Sequence, residues 1–160
     1  METQPLAAGL EEGAKRLLRL AVAALARREH SRIELERKLE RRLQGEETPA
    51  DIARVLDRLQ SRGLLSDQRM AAALVRTRAP RYGRLRIKQE LQRRGVDRET
   101  IHASLPPVEE ESAAAVAVWQ RKFGQPATTP QERARQGRFL AARGFAASVI
   151  AHILSVGEDA

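Results

Sequence analysis

Six residues near the middle of the chain, Leu91-Gln92-Arg93-Arg94-Gly95-Val96, return 49 positions later as Leu140-Ala141-Ala142-Arg143-Gly144-Phe145. The same offset sets Ile101 on Ile150 and Leu105 on Leu154. An offset of 52 places Ser31-Arg32 on Gly83-Arg84, Leu35 on Ile87 and Leu39 on Leu91, and a three-residue insertion near Gly45 then brings Ile52 onto Ile101. A period near 50 built from short helical stretches predicts tandem repeats, each too small to bury much surface alone. The expected fold is all-α: three tandem three-helix repeats stacked into an elongated, curved body. The expected divisions are a flexible acidic tail over 1–13 and repeats over 14–65, 66–107 and 108–156.

Start and stop signals divide the chain into nine helices. The first covers about Ala14 to Arg28, with Leu17, Leu18, Ala21 and Leu25 on one face. The second starts at Ser31, which has capping-box spacing to Glu34, carries Leu35, Leu39 and Leu43, and stops at Gly45. Thr48-Pro49-Ala50-Asp51 announces the third, which carries Ile52, Val55, Leu56 and Leu59 to Gly63. The fourth begins near Ser66-Asp67, buries Met70, Ala71, Leu74 and Val75, and ends between Pro80 and Gly83. The fifth, about Arg84 to Arg94, holds Ile87 and Leu91 and stops at Gly95; Asp97 caps the sixth, which ends before Pro106-Pro107. The seventh, about Glu109 to Phe123, opens on three acids suited to a helix N-terminus and has Val116, Trp119 and Phe123 as its stripe. Thr129-Pro130 opens the eighth, with Phe139 and Leu140, and the ninth carries Val149, Ile150, Ile153 and Leu154. Gly157 to Ala160 are expected to fray.

Composition agrees with helices. Aromatic residues make up only 3%, Ala, Leu and Arg dominate, and β-branched residues are scarce. The absence of cysteine excludes a disulfide scaffold, a thiolate zinc site and a Cys nucleophile, and it fits a cytoplasmic protein. No apolar run reaches the ~20 residues of a membrane span, and the acidic N-terminus is unlike a secretory signal.

The net charge of +8 is unevenly placed. Residues 14–44 carry ten basic and four acidic groups, and residues 76–98 carry nine basic and two acidic; the rest of the chain is near neutral or slightly acidic. Two dense basic segments form an electrostatic footprint for an acidic partner. The candidate contact residues are Arg76, Arg78, Arg81, Arg84, Arg86, Lys88, Arg93 and Arg94, backed by Arg27, Arg28 and Arg32. Tyr82, in the turn Arg81-Tyr82-Gly83-Arg84, either stacks on a base or guanidinium or covers a helix end. The third repeat is near neutral, so it is expected to contribute mainly shape and protein contact.

Catalytic patterns are missing. His30, His102 and His152 have no His or Cys partner at ligand spacing and read as surface or partly packed residues. No phosphate-binding glycine loop occurs, and no serine has a base arrangement beside it. Glu46-Glu47 reads as a loop, and Glu109-Glu110-Glu111 as a helix start. Trp119 and Phe123 read as core. No cofactor and no metal are expected.

Three landmarks carry a resemblance. Residues Leu25 to Leu39 contain a basic pair, a Ser, then Glu-Leu and Lys-Leu. Leu59-Gln60-Ser61-Arg62-Gly63-Leu64-Leu65-Ser66-Asp67 ends one helix at Gly and opens the next at Asp. Arg76 to Arg78, Gly83, Ile87, Glu90-Leu91 and Gly95-Val96 form the third. In order and spacing these resemble the RecX family over about residues 14–105, and more weakly beyond. Met70 departs from the aromatic residue common at that place, and a flexible Met fills the same gap. A non-catalytic monomer is expected, and the resemblance implies that it lodges in the groove of the RecA–DNA filament. It also implies that the protein limits filament growth and suppresses recombinase and co-protease activity, meeting single-stranded DNA through the filament or weakly alone. The competing reading is a non-specific DNA-binding protein whose three-helix units resemble helix-turn-helix modules, with Gln89 and Gln92 as the available base-reading amides. An enzyme is the weakest of the three.

Overall fold

The computed structural model describes residues 4–156. Among these residues there are nine α-helices and no strand. They are α1 (Glu12–Arg27), α2 (Arg32–Glu40), α3 (Pro49–Ser61), α4 (Asp67–Arg78), α5 (Arg84–Arg93), α6 (Arg98–Ser104), α7 (Val108–Lys122), α8 (Pro130–Ala142) and α9 (Ala147–Ser155). The chain divides into two compact units. One runs through Ala71 and includes Arg94–Val96; the other holds Ala72–Arg93 and the chain from Asp97 onward.

Local chemistry explains four of the helix starts. Ser31 accepts from the Glu34 N–H while the Glu34 carboxylate takes the Ser31 N–H at 2.9 Å, a complete capping box. Thr48 and Asp51 form a second box ahead of Pro49. Asp97 accepts from Thr100, and Thr129 from Glu132. The α2 helix stops at Glu40, short of Gly45, and the chain leaves it in a turn closed by Arg42 N–H to Leu39 O at 2.9 Å.

In the first unit α1 packs on α2 and α3. Leu17, Leu18 and Ala21 of α1 meet Leu35 and Leu39 of α2 and Ile52, Val55, Leu56 and Leu59 of α3 in one buried cluster. Arg16 fastens α1 to the α2–α3 loop, with Nη1 on both oxygens of Glu47 and Nη2 on Arg42 O at 3.0 Å.

The N-terminal stretch differs from the flexible tail expected over 1–13. Leu10 is buried, and Leu6 and Ala7 pack against the same cluster. Arg58 Nη1 donates to Leu6 O at 3.0 Å and Ala8 O at 2.6 Å, and Arg62 Nη2 donates to Gln4 O at 2.8 Å. Apolar residues at 6, 7 and 10 were hidden in the sequence by the acids around them. Residues 1–3 of that tail, and residues 157–160, which are expected to fray, lie outside the described residues.

His30, read from the sequence as a surface or partly packed residue, is more deeply placed than that. It is buried at 3% exposure, and its Nδ1–H donates to Arg28 O at 3.0 Å. Burial pushes the imidazole pKa below its ordinary value of 6.5, outweighing the Arg28 hydrogen bond that favours the charged form. As pH falls through about 6.5, the unfolded state takes up the proton and the folded state does not, so stability drops. The loss stops growing once pH passes below the depressed folded value. The urea midpoint of the first unit should therefore fall between about pH 7.5 and about pH 5.5, and a His30→Gln variant should remove most of that slope.

In the second unit α7, α8 and α9 enclose Ala115, Val118, Leu140, Phe145, Val149 and Ile153. The α7 stripe is turned from the expected one. Glu111, Ala115 and Val118 are buried, whereas Val116 is 38% exposed. Trp119 packs at the edge of the cluster, as a core residue does, and its Nε1–H donates to Gln136 Oε1 at 2.9 Å.

Each unit contains a joint that matches the sequence repeat. In the first, Ser31 Oγ donates to Arg94 O, the Arg32 N–H donates to Asp67 Oδ1 at 2.7 Å, and the Ile33 side chain lies over Gly95. In the second, the Gly83 N–H donates to Arg143 O at 2.8 Å, the Arg84 N–H donates to Glu111 Oε1 at 3.1 Å, and the Leu85 N–H donates to Gly144 O at 3.2 Å. Positions 31 and 32 thus have the roles of 83 and 84, while the glycine is met by a side chain at 33 and bonded by a backbone N–H at 85. A carboxylate caps the helix at 32 and at 84, although Asp67 and Glu111 are not in repeat register.

Candidate interaction surface

The α4–α5 turn positions the candidate surface in the second unit. Pro80 ends α4, and the N–H groups of Arg81 and Tyr82 both return to Arg78 O at 2.9 Å. This holds Tyr82 half-buried at the start of α5. The Arg86 guanidinium lies 4.1 Å over the Tyr82 ring, and that of Arg143 stands 5.7 Å from it. Arg143 also covers Phe139 at 4.8 Å, with Lys122 5.8 Å from the same ring. Phe123 meets Phe139 edge to face, with centroids 5.3 Å apart.

Tyr82, Lys122, Phe139 and Arg143 line a shallow groove of about 430 Å³ together with Arg81, Val118 and Arg121. A second depression of about 620 Å³ continues from the turn along Arg86, Glu90 and Arg93. Arg81, Arg86, Arg121, Lys122 and Arg143 have no carboxylate partner among the described residues. Like charges held this close without counter-charges repel one another, and an anion in the groove relieves that repulsion.

The candidate cations named from the sequence separate into two groups. Arg28 is 3.3 Å from Glu34, Arg94 is 3.2 Å from the same carboxylate, and Arg32 is 2.7 Å from Asp57. Arg78 makes a two-pronged pair with Glu90 at 3.0 and 3.1 Å, which raises its already high pKa. These four help to hold their own units together. Arg27, Arg76, Arg81, Arg86, Lys88 and Arg93 are exposed, and Arg84 is half-buried with its backbone N–H held by Glu111.

Arg121, Lys122, Phe139 and Arg143 belong to the same groove and were missed. The near-neutral total of the third repeat concealed them. In α7 the acids Glu109, Glu110 and Glu111 occupy the first turn and Arg121 and Lys122 the last. At 1.5 Å rise per residue the two sets stand about 17 Å apart, beyond a Debye length, so they do not cancel. The signal was legible as charge sorting along one helix. The third repeat, expected to contribute mainly shape and protein contact, thus also brings cations to the basic surface.

Among the described residues no group of three or more His, Asp or Glu side chains is placed to hold a metal ion. No helix of the described residues is long and apolar enough to cross a membrane.

Two family models match the chain: the second three-helix domain of RecX over residues 66–105, and the third over residues 109–154. A protein named Regulatory protein RecX from Leptothrix cholodnii is 43% identical over 139 residues, covering 86% of this chain and 87% of its own. Its namesake from Pseudomonas entomophila is 47% identical over 144 residues, covering 88% and 90%. A crystal structure of RecX from Lactobacillus salivarius superposes with a TM-score of 0.79 over 94% of this chain and all of its own; at 19% identity it shows a shared fold. The Arg-Gly-apolar helix stops, the nine helices in threes and these matches agree, and the chain belongs to the RecX family of regulatory proteins.

Proposed function

We propose that this chain is a negative regulator of RecA, acting without catalysis as a cytoplasmic monomer built of repeats over 14–65, 66–107 and 108–156. It binds in the groove of the RecA–DNA filament and limits filament growth, and with it recombinase and co-protease activity. Family membership supports the regulatory part. The observation that supports filament binding is the set of five cations around Tyr82 and Phe139 with no carboxylate partner among the described residues. Such a surface meets a polyanion or an acidic protein face, and several modest contacts along a repeated filament add through effective concentration.

The test is co-sedimentation with preformed RecA–single-stranded DNA filaments, with bare DNA at matched salt as the control. The wild-type chain should pellet with filaments far more than with bare DNA. Reversing Arg81 and Arg86 to Glu should weaken filament binding by about tenfold or more, near 1.4 kcal/mol, with circular dichroism unchanged. Unchanged pelleting by that variant would count against the surface.

One observation favours the second reading, direct non-specific binding to single-stranded DNA: two aromatic rings sit among cations in one groove. Equal pelleting with bare DNA and a steep salt dependence would select it.

A further inference from the structure

Helix α5 presents two basic faces. Arg86 and Arg93 turn toward Tyr82. Arg84 and Lys88 turn the other way, toward α6, over a groove of about 510 Å³ that also takes in Leu85, Arg98, Ile101 and Leu105. The buried seam of Ile87 and Leu91 separates the two faces.

The second groove has a different chemistry. Its floor is aliphatic, from Ile101 and Leu105, and Leu85 stands 53% exposed among the cations. His102 at the rim is the one ring among the lining side chains. Arg84, Lys88 and Arg98 have no carboxylate partner among the described residues. The repeat does not require this exposure of Leu85. Its counterpart in the first unit, Ile33, lies over Gly95, whereas Gly144 in the second unit is met by the backbone and Cβ of Arg86 instead. The backbone at Leu85 is held in place, because its N–H is bonded to Gly144 O at 3.2 Å. An exposed aliphatic side chain on a fixed stretch of backbone, ringed by cations, offers an apolar contact for a protein partner.

We propose that the α5–α6 groove docks an acidic segment of a partner protein that carries aliphatic side chains. The aliphatic groups cover Leu85 and enter between Ile101 and Leu105, and flanking carboxylates meet Arg84, Lys88 and Arg98. A nucleic acid fits less well, since the aliphatic floor offers bases no stacking plane. The inference deepens the filament reading and rests on it for the partner: the protein contact falls to this groove, and the polyanion contact to the Tyr82 side.

Three measurements on the full chain test it. The probe is a short Asp/Glu-rich peptide with two leucines one helical turn apart, followed by amide NMR shifts. The shifts should map to α5 and α6, and a peptide with both leucines replaced by serine should lose them. Leu85→Asp should weaken peptide binding and filament co-sedimentation by about tenfold or more, while oligo-dT affinity stays within about twofold. Leu85→Ala, which keeps helix propensity, should show a smaller loss in the same direction. The groove assignment is overturned if the peptide shifts map elsewhere, if oligo-dT competes for the same resonances, or if Leu85→Asp retains full filament binding. If the wild-type chain ignores filaments but the peptide maps to the groove, the filament reading fails and the docking site stands.

Discussion

Gly83→Ala should destabilise the second unit by about 4 kcal/mol. A Cβ at residue 83 would lie 2.2 Å from Gly144 O and 2.3 Å from Phe145 N, so it collides with backbone that no rotamer change can move aside. Separating the two turns breaks the Gly83-to-Arg143 and Leu85-to-Gly144 hydrogen bonds, each worth about 1 kcal/mol, and overpacking adds about 1–3 kcal/mol. The control is Gly63→Ala. Gly63 has φ +70 but nothing within 4 Å of its Cβ position, so only the backbone preference is lost, about 1 kcal/mol. Ser31→Ala is a second control: at the equivalent place in the first unit it removes the side-chain bond to Arg94 O and the cap on the Glu34 N–H, and should cost about 2 kcal/mol. Urea denaturation of the three variants ranks them. Equal losses for Gly83→Ala and Gly63→Ala would show that the close approach of the two turns contributes nothing.

Glu111→Ala should cost about 3 kcal/mol, well beyond what removing a surface acid from a first helical turn does. The carboxylate is 3% exposed, and its Oε1 accepts the Arg84 N–H at 3.1 Å and the Ala146 N–H at 3.2 Å. Arg84 opens α5 and Ala146 is the N-cap of α9, where an alanine has no side-chain acceptor of its own. One buried charge therefore meets the positive ends of two helices, and truncation leaves two donors without an acceptor. Glu111→Gln keeps an amide oxygen for the same donors but loses the charge, so it should recover about half of the stability. Glu110→Ala, exposed in the same turn, should change stability by less than about 0.5 kcal/mol. Thermal melts of the three variants separate these outcomes. Equal melting of Glu111→Ala and Glu110→Ala would remove the double-cap role.

Both predictions concern contacts that periodicity does not show. Glu111 read as one of three equivalent acids at a helix start, because a first-turn acid is favourable whichever way it points. Its inward turn depends on where α5 and α9 begin, and that information lies 27 and 35 residues away. The same shift of phase moved Val116 out to solvent and brought Val118 in. His30 looked like a polar residue at a helix entry and is buried at its joint.

The basic surface was legible in part. The segment 76–98 held the groove residues Arg81, Tyr82 and Arg86. It also held Arg78, which pairs with Glu90, and the first segment held Arg28 and Arg32, which pair with Glu34 and Asp57. Charge density in a sequence counts every cation alike, whereas an ion pair depends on carboxylates brought near by helix crossing.

The sequence by itself determined the helices, their caps and stops, and the repeat. Ser31, Thr48, Asp97 and Thr129 cap helices through residues three positions away, and Gly63, Gly95 and Gly144 end them with φ of +70, +77 and +81. Those interactions close within a few residues, so local chemistry suffices to read them. Only the tertiary structure decided which cations face an open groove, which side of α5 carries rings and which carries Leu85, and that Glu111 serves two helices at once. Each of those depends on the distance between side chains far apart in the chain, and packing of the helices sets that distance.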